Sequence, residues 1–150
     1  MRVEKLYLED LSVGQRFVGT TTLTVTEAEI KEFAGRYDPQ PFHLDDAAAR
    51  RTLFGGLAAS GWHTAALTMK LLVGSGPTLG WGIVGGGGEI AWPRPTRPGD
   101  VLHIECAVVE IIPSKSKPDR GMVLMRTETK NQDGELAQVT TMKLVVPRRP

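Results

Sequence analysis

The stretch YDPQPFHLDDAAARRTLFGGLAASGWHTAALTMKLL, residues 37–72, decides the fold and carries the most reactive side chains of the chain. An acid, Asp38, and a base, His43, lie on a loop with two prolines, which fix φ and remove backbone donors. A turn of small residues, 58–61, then begins an apolar helix. The stretch therefore combines a proton-transfer pair with a helix N-terminus, where negative charge is stabilised.

The helix after this turn has an apolar stripe. Between Trp62 and Val73 the apolar side chains recur at helical spacing, and many of the remaining positions are small. The stripe consists of Trp62, Ala65, Ala66, Met69, Leu72 and Val73. A helix this slim and apolar suits a central position against a curved sheet, although a surface helix with one buried face satisfies the same pattern.

Strand signals surround this helix. β-branched residues predict a strand over residues 16–25, and alternating apolar residues predict a long one over 101–112. Two more strands are predicted over 122–130 and 135–146, joined by a turn with an Asp-Gly signal. The four glycines within residues 85–92 predict a bulge or a close backbone approach in a further strand.

A short helix precedes the stretch. Thr26 and Glu29 have the spacing of a capping box, Ile30 begins an apolar face, and Gly35 is expected to close the helix. One strand, then helices, then a meander of about four strands predicts the α+β class, with a long helix across an antiparallel sheet.

Composition excludes several classes of protein. The 150 residues carry 18 Lys and Arg against 17 Asp and Glu, a net charge of +1, so no strong field favours nucleic acid or an anionic membrane. The single Cys106 forms no internal disulfide, and neither a zinc-ligand spacing, a signal peptide nor a membrane-spanning run is present. We therefore expect one domain, residues 1–150, in the reducing cytoplasm.

With these residues in place, the chain resembles the MaoC-like dehydratases, the (R)-specific enoyl-CoA hydratases of the hot-dog fold. The family motif runs Asp, four residues including proline, then His, and here it is Asp38-Pro39-Gln40-Pro41-Phe42-His43. Residues 59–62 match the family's turn before the central helix. Residues 92–95 and 98–100 resemble the proline- and glycine-containing turn at which a strand of the family ends. The resemblance implies an antiparallel β-sheet wrapped around a long central α-helix.

Three positions depart from the family pattern. Gln40 replaces the usual asparagine, and Ser60 replaces the common histidine before the glycine of the turn. Ala66 and Met69 occupy the region where some members carry a serine.

The resemblance implies reversible addition of water across the C2–C3 double bond of an acyl thioester, giving the (R)-3-hydroxy form. His43 would activate the water, and Asp38 would bind the same water and deliver a proton to the α-carbon. The Gly61 N–H would receive the thioester oxygen as it becomes an oxyanion. A purely structural interpretation makes Asp38 a turn residue, His43 a helix-entry cap and Ser60 an ordinary N-cap.

Further residues are candidates for binding substrate. We expect Ser60 and Trp62 to contact it, and Arg94, Lys115 and Lys117, with Arg97 and Arg120, to hold the phosphates of coenzyme A, although charged turns are usually only solvated. Trp81 and Trp92 are interpreted as core or subunit contacts, and His63 and His103 as packing or surface residues. Apart from coenzyme A within the substrate, no cofactor or metal is expected.

Two other functions remain open at this point. One is an acyl-CoA thioesterase of the same fold, and the other is a non-catalytic module that binds an acyl thioester. In each case the resemblance and the unpaired strand edges predict at least a homodimer whose sheets join edge to edge.

Overall fold

The structure, a computed structural model, describes residues 4–150; the first three residues of the predicted domain lie outside the described residues. Its helices are a short 3-10 helix (Leu8–Asp10), α1 (Glu27–Tyr37), α2 (Pro41–Leu44), α3 (Asp46–Arg50) and α4 (Gly61–Ser75). Its strands are β1 (Arg16–Val18), β2 (Leu23–Thr24), β3 (Gly85–Ala91), β4 (Val101–Pro113), β5 (Arg120–Lys130) and β6 (Leu136–Pro147).

The strands form one antiparallel sheet in the order β1-β4-β5-β6-β3, with β2 also paired to β4. On β4 alternate apolar side chains are buried, as the sequence pattern predicts. On β5 alternate residues are buried as well, Thr127 and Thr129 among them, and helix α4 packs across the sheet. The predicted α+β class is therefore confirmed, and the architecture is that of a hot-dog fold. No helix in the described part of the chain is long and apolar enough to cross a membrane.

Two predicted boundaries are wrong. The strand over 16–25 is interrupted at Gly19, where a Cβ atom would approach the Ile104 side chain to 2.8 Å. Helix α1 continues through Gly35 and ends at Tyr37, with Asp38 as its C-cap. The residue before a proline is disfavoured in the helical region, so Pro39, rather than the glycine, ends this helix.

The cap at Thr26 and the bulge agree with the sequence. Thr26 accepts a hydrogen bond from the Glu29 amide at 3.2 Å. At the start of α3, Asp45 accepts one from the Ala48 amide at 3.1 Å. The register between β3 and β6 shifts within residues 85–88, as the glycines predict.

The apolar stripe of α4 is not the face that the chain buries. Trp62, Met69 and Val73 are 59%, 45% and 73% exposed, whereas Thr64 and Thr68 are buried. The two threonines are satisfied inside the protein, because Thr64 bonds to Thr96 and Thr68 bonds to Thr129. The buried side of α4 thus combines the threonines with Leu71, and the other side presents an apolar surface.

Candidate active site

Asp38 and His43 lie together where α1 gives way to α2. Asp38 caps the C-terminus of α1, and His43 belongs to the single turn of α2, which begins at Pro41. The Nε2 atom of His43 is 3.2 Å from Oδ2 of Asp38, and the imidazole is only 4% exposed. The loop between two short helices therefore holds the acid and the base in direct contact.

The hydrogen bonds of His43 define which ring nitrogen exchanges a proton. Nδ1 is 2.6 Å from the carbonyl oxygen of Ala58, and a carbonyl oxygen only accepts hydrogen bonds. Nδ1 therefore carries a hydrogen and donates it to Ala58. Nε2, which faces Asp38, is the nitrogen that takes up and releases a proton.

Two side chains donate hydrogen bonds to the Asp38 carboxylate. The Ser60 hydroxyl donates to Oδ2 at 2.7 Å, and the Gln40 amide donates to Oδ1 at 2.5 Å. Burial raises the pKa of Asp38, but these two hydrogen bonds and the charge of His43 outweigh burial, so the pKa is lowered overall. Asp38 is therefore held as the carboxylate at neutral pH.

Ser60 has a different position from the one predicted. We expected it to contact substrate, but it is fully buried, and its hydroxyl bonds to Asp38 while accepting a hydrogen bond from the Trp62 amide at 3.3 Å. As the N-cap of α4, Ser60 links the carboxylate to the positive end of this helix. Its observed partner is Asp38, and its contact with substrate stays a prediction.

Gly61 presents a free amide at the start of α4. Among the described residues, neither a backbone carbonyl nor a side-chain acceptor bonds to its N–H. A Cβ atom at this position would lie 2.6 Å from the Trp92 ring, so only glycine fits. The amide stands at the positive end of a 15-residue helix, where it can bind a developing oxyanion.

One cleft, with a volume of about 460 Å³, contains both His43 and Gly61. Its other lining residues are Gln40, Phe42, Leu53, Phe54, Ala59, Trp92, Pro93, Arg94, Pro95 and Thr96. His43 and Gly61 lie on one mostly apolar cleft, and Asp38, which is not among the lining residues, contacts His43. A base that contacts a carboxylate and lies on the same cleft as an unpaired amide suits the addition or removal of a proton next to a carbonyl group.

The predicted basic residues are not gathered at this cleft. Arg94 lines it and pairs with Glu135 at 2.8 Å, while Arg97 donates to the carbonyl oxygens of residues 54, 56 and 57 and so supports the cleft wall. Lys115 and Lys117 lie on the hairpin loop that follows the C-terminal end of β4. The 13 residues of this strand span about 40 Å from its first residue to its last, at roughly 3.3 Å per residue. Their contact with coenzyme A stays a prediction.

Trp92 and Gln138 belong to the site environment, although sequence reasoning did not place them there. The Trp92 indole lies against Gly61, packs at a right angle to Trp62 with 5.1 Å between ring centres, and donates to Gln138 Oε1 at 2.9 Å. The signal that could have indicated Trp92 is its place at the end of β3, directly before the Pro-Arg-Pro turn. Trp81 lies elsewhere, 5.1 Å from the Arg120 guanidinium.

The other two histidines lie outside this cluster. His63 is buried and stacks on Phe33 with 4.8 Å between ring centres, and burial lowers its pKa while Glu29 opposes that shift. His103 lies on β4 opposite Lys130. Within residues 4–150, no three His, Cys, Asp or Glu side chains are grouped to hold a metal ion.

Comparison with known proteins places this site in a family. The chain is 61% identical to the MaoC-like dehydratase from Rhodospirillum rubrum, with a TM-score of 0.94 over 97% of this chain and 99% of that one. It is 27% identical to the R-hydratase PhaJ1 from Pseudomonas aeruginosa, with a TM-score of 0.75 over 97% and 88% of the two chains. It is also 32% identical, over 75% of its length and 69% of the relative, to the 3-hydroxybutyryl-CoA dehydratase of Methylorubrum extorquens.

The sequence model described as the MaoC like domain matches residues 10–131. That match covers the Asp38–His43 motif, the turn that begins α4 and Trp92, whereas Gln138 lies beyond it. The predicted resemblance is therefore confirmed, and this chain belongs to the MaoC-like domain family.

Proposed function

We propose that this protein is an enoyl-CoA hydratase, acting reversibly as a 3-hydroxyacyl-CoA dehydratase. The observation that carries the proposal is the contact between Asp38 and His43 Nε2, because His43 lines the same cleft as Gly61, whose amide has no partner among the described residues. Hydration of an enoyl thioester requires a base for water, a proton for C2 and a donor for the thioester oxygen. The three groups supply these requirements.

The reaction begins with the thioester oxygen on the Gly61 N–H and a water against His43 Nε2 and Asp38. As the water oxygen bonds to C3, its proton passes to Nε2, and the electrons of the double bond move to the thioester oxygen. Nε2 is 3.2 Å from Oδ2 of Asp38, so the proton can pass to the carboxylate and then to C2. In that last transfer the enolate double bond supplies the electrons of the new C2–H bond, and the thioester carbonyl forms again. Because the pKa of Asp38 is lowered, its protonated form gives up the proton readily.

The substrate side of the proposal draws on the relatives. The Methylorubrum protein is named for 3-hydroxybutyryl-CoA and the Pseudomonas protein as an R-hydratase, which supports an acyl-CoA substrate and an (R)-3-hydroxy product here. Arg94 is the predicted basic residue that lines the cleft, and we assign it to a phosphate of coenzyme A. The cytoplasmic location expected from the sequence stays a prediction.

We also propose that the protein is a homodimer joined along β3. Within the described residues, β3 pairs with β6 on one side and leaves its other edge free, and all seven of its residues are exposed. Exposed Ile90 on this strand lies near the apolar stripe of α4 that includes Trp62 and Met69. A second copy paired edge to edge would cover both surfaces.

Incubation with crotonyl-CoA tests the function. Loss of the enoyl absorbance without release of free thiol, with chiral analysis showing the (R)-3-hydroxy product, is the expected result. Release of thiol would instead indicate a thioesterase. A protein inert toward short, branched and dicarboxylic enoyl-CoA substrates would favour the non-catalytic binding module.

A further inference from the structure

Two cavities reach the N-terminal end of α4, where Gly61 lines one and Trp62 lines the other. The first is the cleft with His43 and Gly61, and the second is a groove of about 310 Å³ between α4 and strands β3 and β6. The groove is lined by Trp62, Ala65, Thr68, Met69, Leu72, Gly88, Glu89, Ile90, Gln138, Thr140 and Met142. A further apolar cavity of about 100 Å³ shares Met69, Leu72, Thr140 and Met142 with it, so the groove extends along the helix.

The Trp92 indole stands between the cleft and the groove. It lines the cleft and lies so close to Gly61 that a Cβ atom there would come within 2.6 Å of the ring. Its other contacts, Trp62 and Gln138, both line the groove. An acyl chain that leaves the Gly61 amide along α4 therefore meets this ring before it reaches the groove.

A chain of buried hydrogen bonds holds the indole in place. Its Nε1–H donates to Gln138, which is 1% exposed, and the Gln138 amide donates to Thr68 Oγ1 at 3.2 Å. Thr68 is in turn fixed by the Thr64 carbonyl at 2.8 Å and by Thr129 at 2.6 Å. Rotation of the ring would leave a buried acceptor on Gln138 without its partner, which proteins avoid.

We propose that Trp92 is a specificity-determining residue that closes the groove to the substrate and limits the enzyme to short enoyl thioesters. This inference rests on the proposed function for its substrate class. The apolar groove is space that a longer chain would occupy if the ring were smaller. Each methylene transferred from water to an apolar site contributes about 0.8 kcal/mol, a factor of about four in affinity.

The experiment compares four-carbon and eight-carbon substrates. Values of kcat/KM for crotonyl-CoA and trans-2-octenoyl-CoA are measured on wild type, W92A and W92F, with W81A as a matched control because Trp81 is also a partly exposed indole but lies away from the cleft. Calorimetry with butyryl-CoA and octanoyl-CoA gives the same comparison as dissociation constants. W92F keeps an aromatic ring in place of the indole, so the comparison remains possible if W92A does not fold.

Wild type and W81A are expected to prefer the four-carbon substrate. The ratio of eight-carbon to four-carbon kcat/KM should rise at least about tenfold in W92A and by a smaller factor in W92F, because up to four methylenes gain access to the groove. A wild type that prefers octenoyl-CoA, or ratios that stay within twofold of wild type in both folded variants, would overturn the proposal.

Failure of the hydratase assignment gives a different result. If wild type hydrates neither substrate, the hydratase proposal fails. A ratio of the two dissociation constants that changes in the Trp92 variants would then still show that Trp92 closes the groove, in a protein that only binds acyl thioesters. Equal ratios of the dissociation constants in wild type and both variants would refute the role of Trp92 in that case as well.

Discussion

The Ser60 hydroxyl donates a 2.7 Å hydrogen bond to Oδ2 of Asp38, and this bond joins the N-terminus of α4 to the C-terminus of α1. The same carboxylate oxygen lies 3.2 Å from His43 Nε2. One buried serine thus sets the orientation of the acid relative to the base and connects both to the helix that carries the Gly61 amide.

Replacing Ser60 by alanine should raise the pKa of Asp38, because the substitution removes a donor to the ionised form. The acid limb of the kcat/KM profile should then move to higher pH, and kcat should fall about tenfold, in line with about 1.5 kcal/mol for a hydrogen bond to a charged group. S60T keeps the hydroxyl and should restore both quantities. An acid limb that stays in place in S60A would show that the hydroxyl does not tune Asp38.

The proton-transfer pair makes a direct prediction. D38N and H43A should each lower kcat by at least about 10²-fold, since positioned acid and base groups typically contribute that much. Steady-state kinetics with crotonyl-CoA measures the effect, and circular dichroism and thermal unfolding check that both variants fold. Near-wild-type turnover in folded H43A would remove His43 from the mechanism.

Gly61 and Gly35 form a matched pair of glycines for substitution by alanine. At Gly61 the new Cβ would lie 2.6 Å from the Trp92 ring, so G61A should lower the free energy of unfolding by about 1–3 kcal/mol and reduce activity. At Gly35, inside α1, no atom lies within 4 Å of that position. G35A should therefore raise the free energy of unfolding by about 0.5–1 kcal/mol and leave activity unchanged.

Denaturant titrations of the two glycine variants measure both changes. Equal effects of G61A and G35A on stability would contradict the close contact between Gly61 and Trp92.

Buried His63 should make stability depend on pH. Burial lowers its pKa from the ordinary 6.5, so the unfolded chain takes up a proton at a higher pH than the folded protein does. This contribution to stability is complete above about pH 6.5 and is lost as the pH falls toward the folded-state pKa, with a slope of at most about 1.4 kcal/mol per pH unit.

Urea titrations between pH 7 and 5.5 on wild type and on H63F and H63Q test this dependence. The wild type should lose stability over this window, and the difference from either variant should grow as the pH falls. Parallel curves for all three proteins would show that His63 is not the titrating group.

The free edge of β3 predicts the response of the dimer to a charge. I90K places a lysine on the exposed edge strand, where pairing with a second copy would bury it, and should shift the protein to monomer. V109K adds the same charge at an exposed position of β4, an interior strand away from β3, and should leave the dimer intact. Light scattering at micromolar concentration distinguishes the two species; a monomeric wild type would refute the dimer.

Local patterns predicted much of the fold correctly. The alternation along β4, the cap at Thr26 and the glycine bulge of β3 depend on neighbours within a few residues, so the sequence alone contains them. The buried face of α4 was not predictable in this way. Hydropathy favours its apolar stripe, but partners distant in the chain make the threonines the buried side.

The amino-acid sequence by itself determined the family, the α+β class and the pairing of Asp38 with His43, because a motif and its helical context lie within one short stretch. Only the tertiary structure decided that Ser60 bonds to Asp38, that Nδ1 of His43 is bound to Ala58, and that Trp92 covers Gly61. These contacts join residues 15 to 31 positions apart, and their geometry depends on how α1, α4 and the end of β3 pack together.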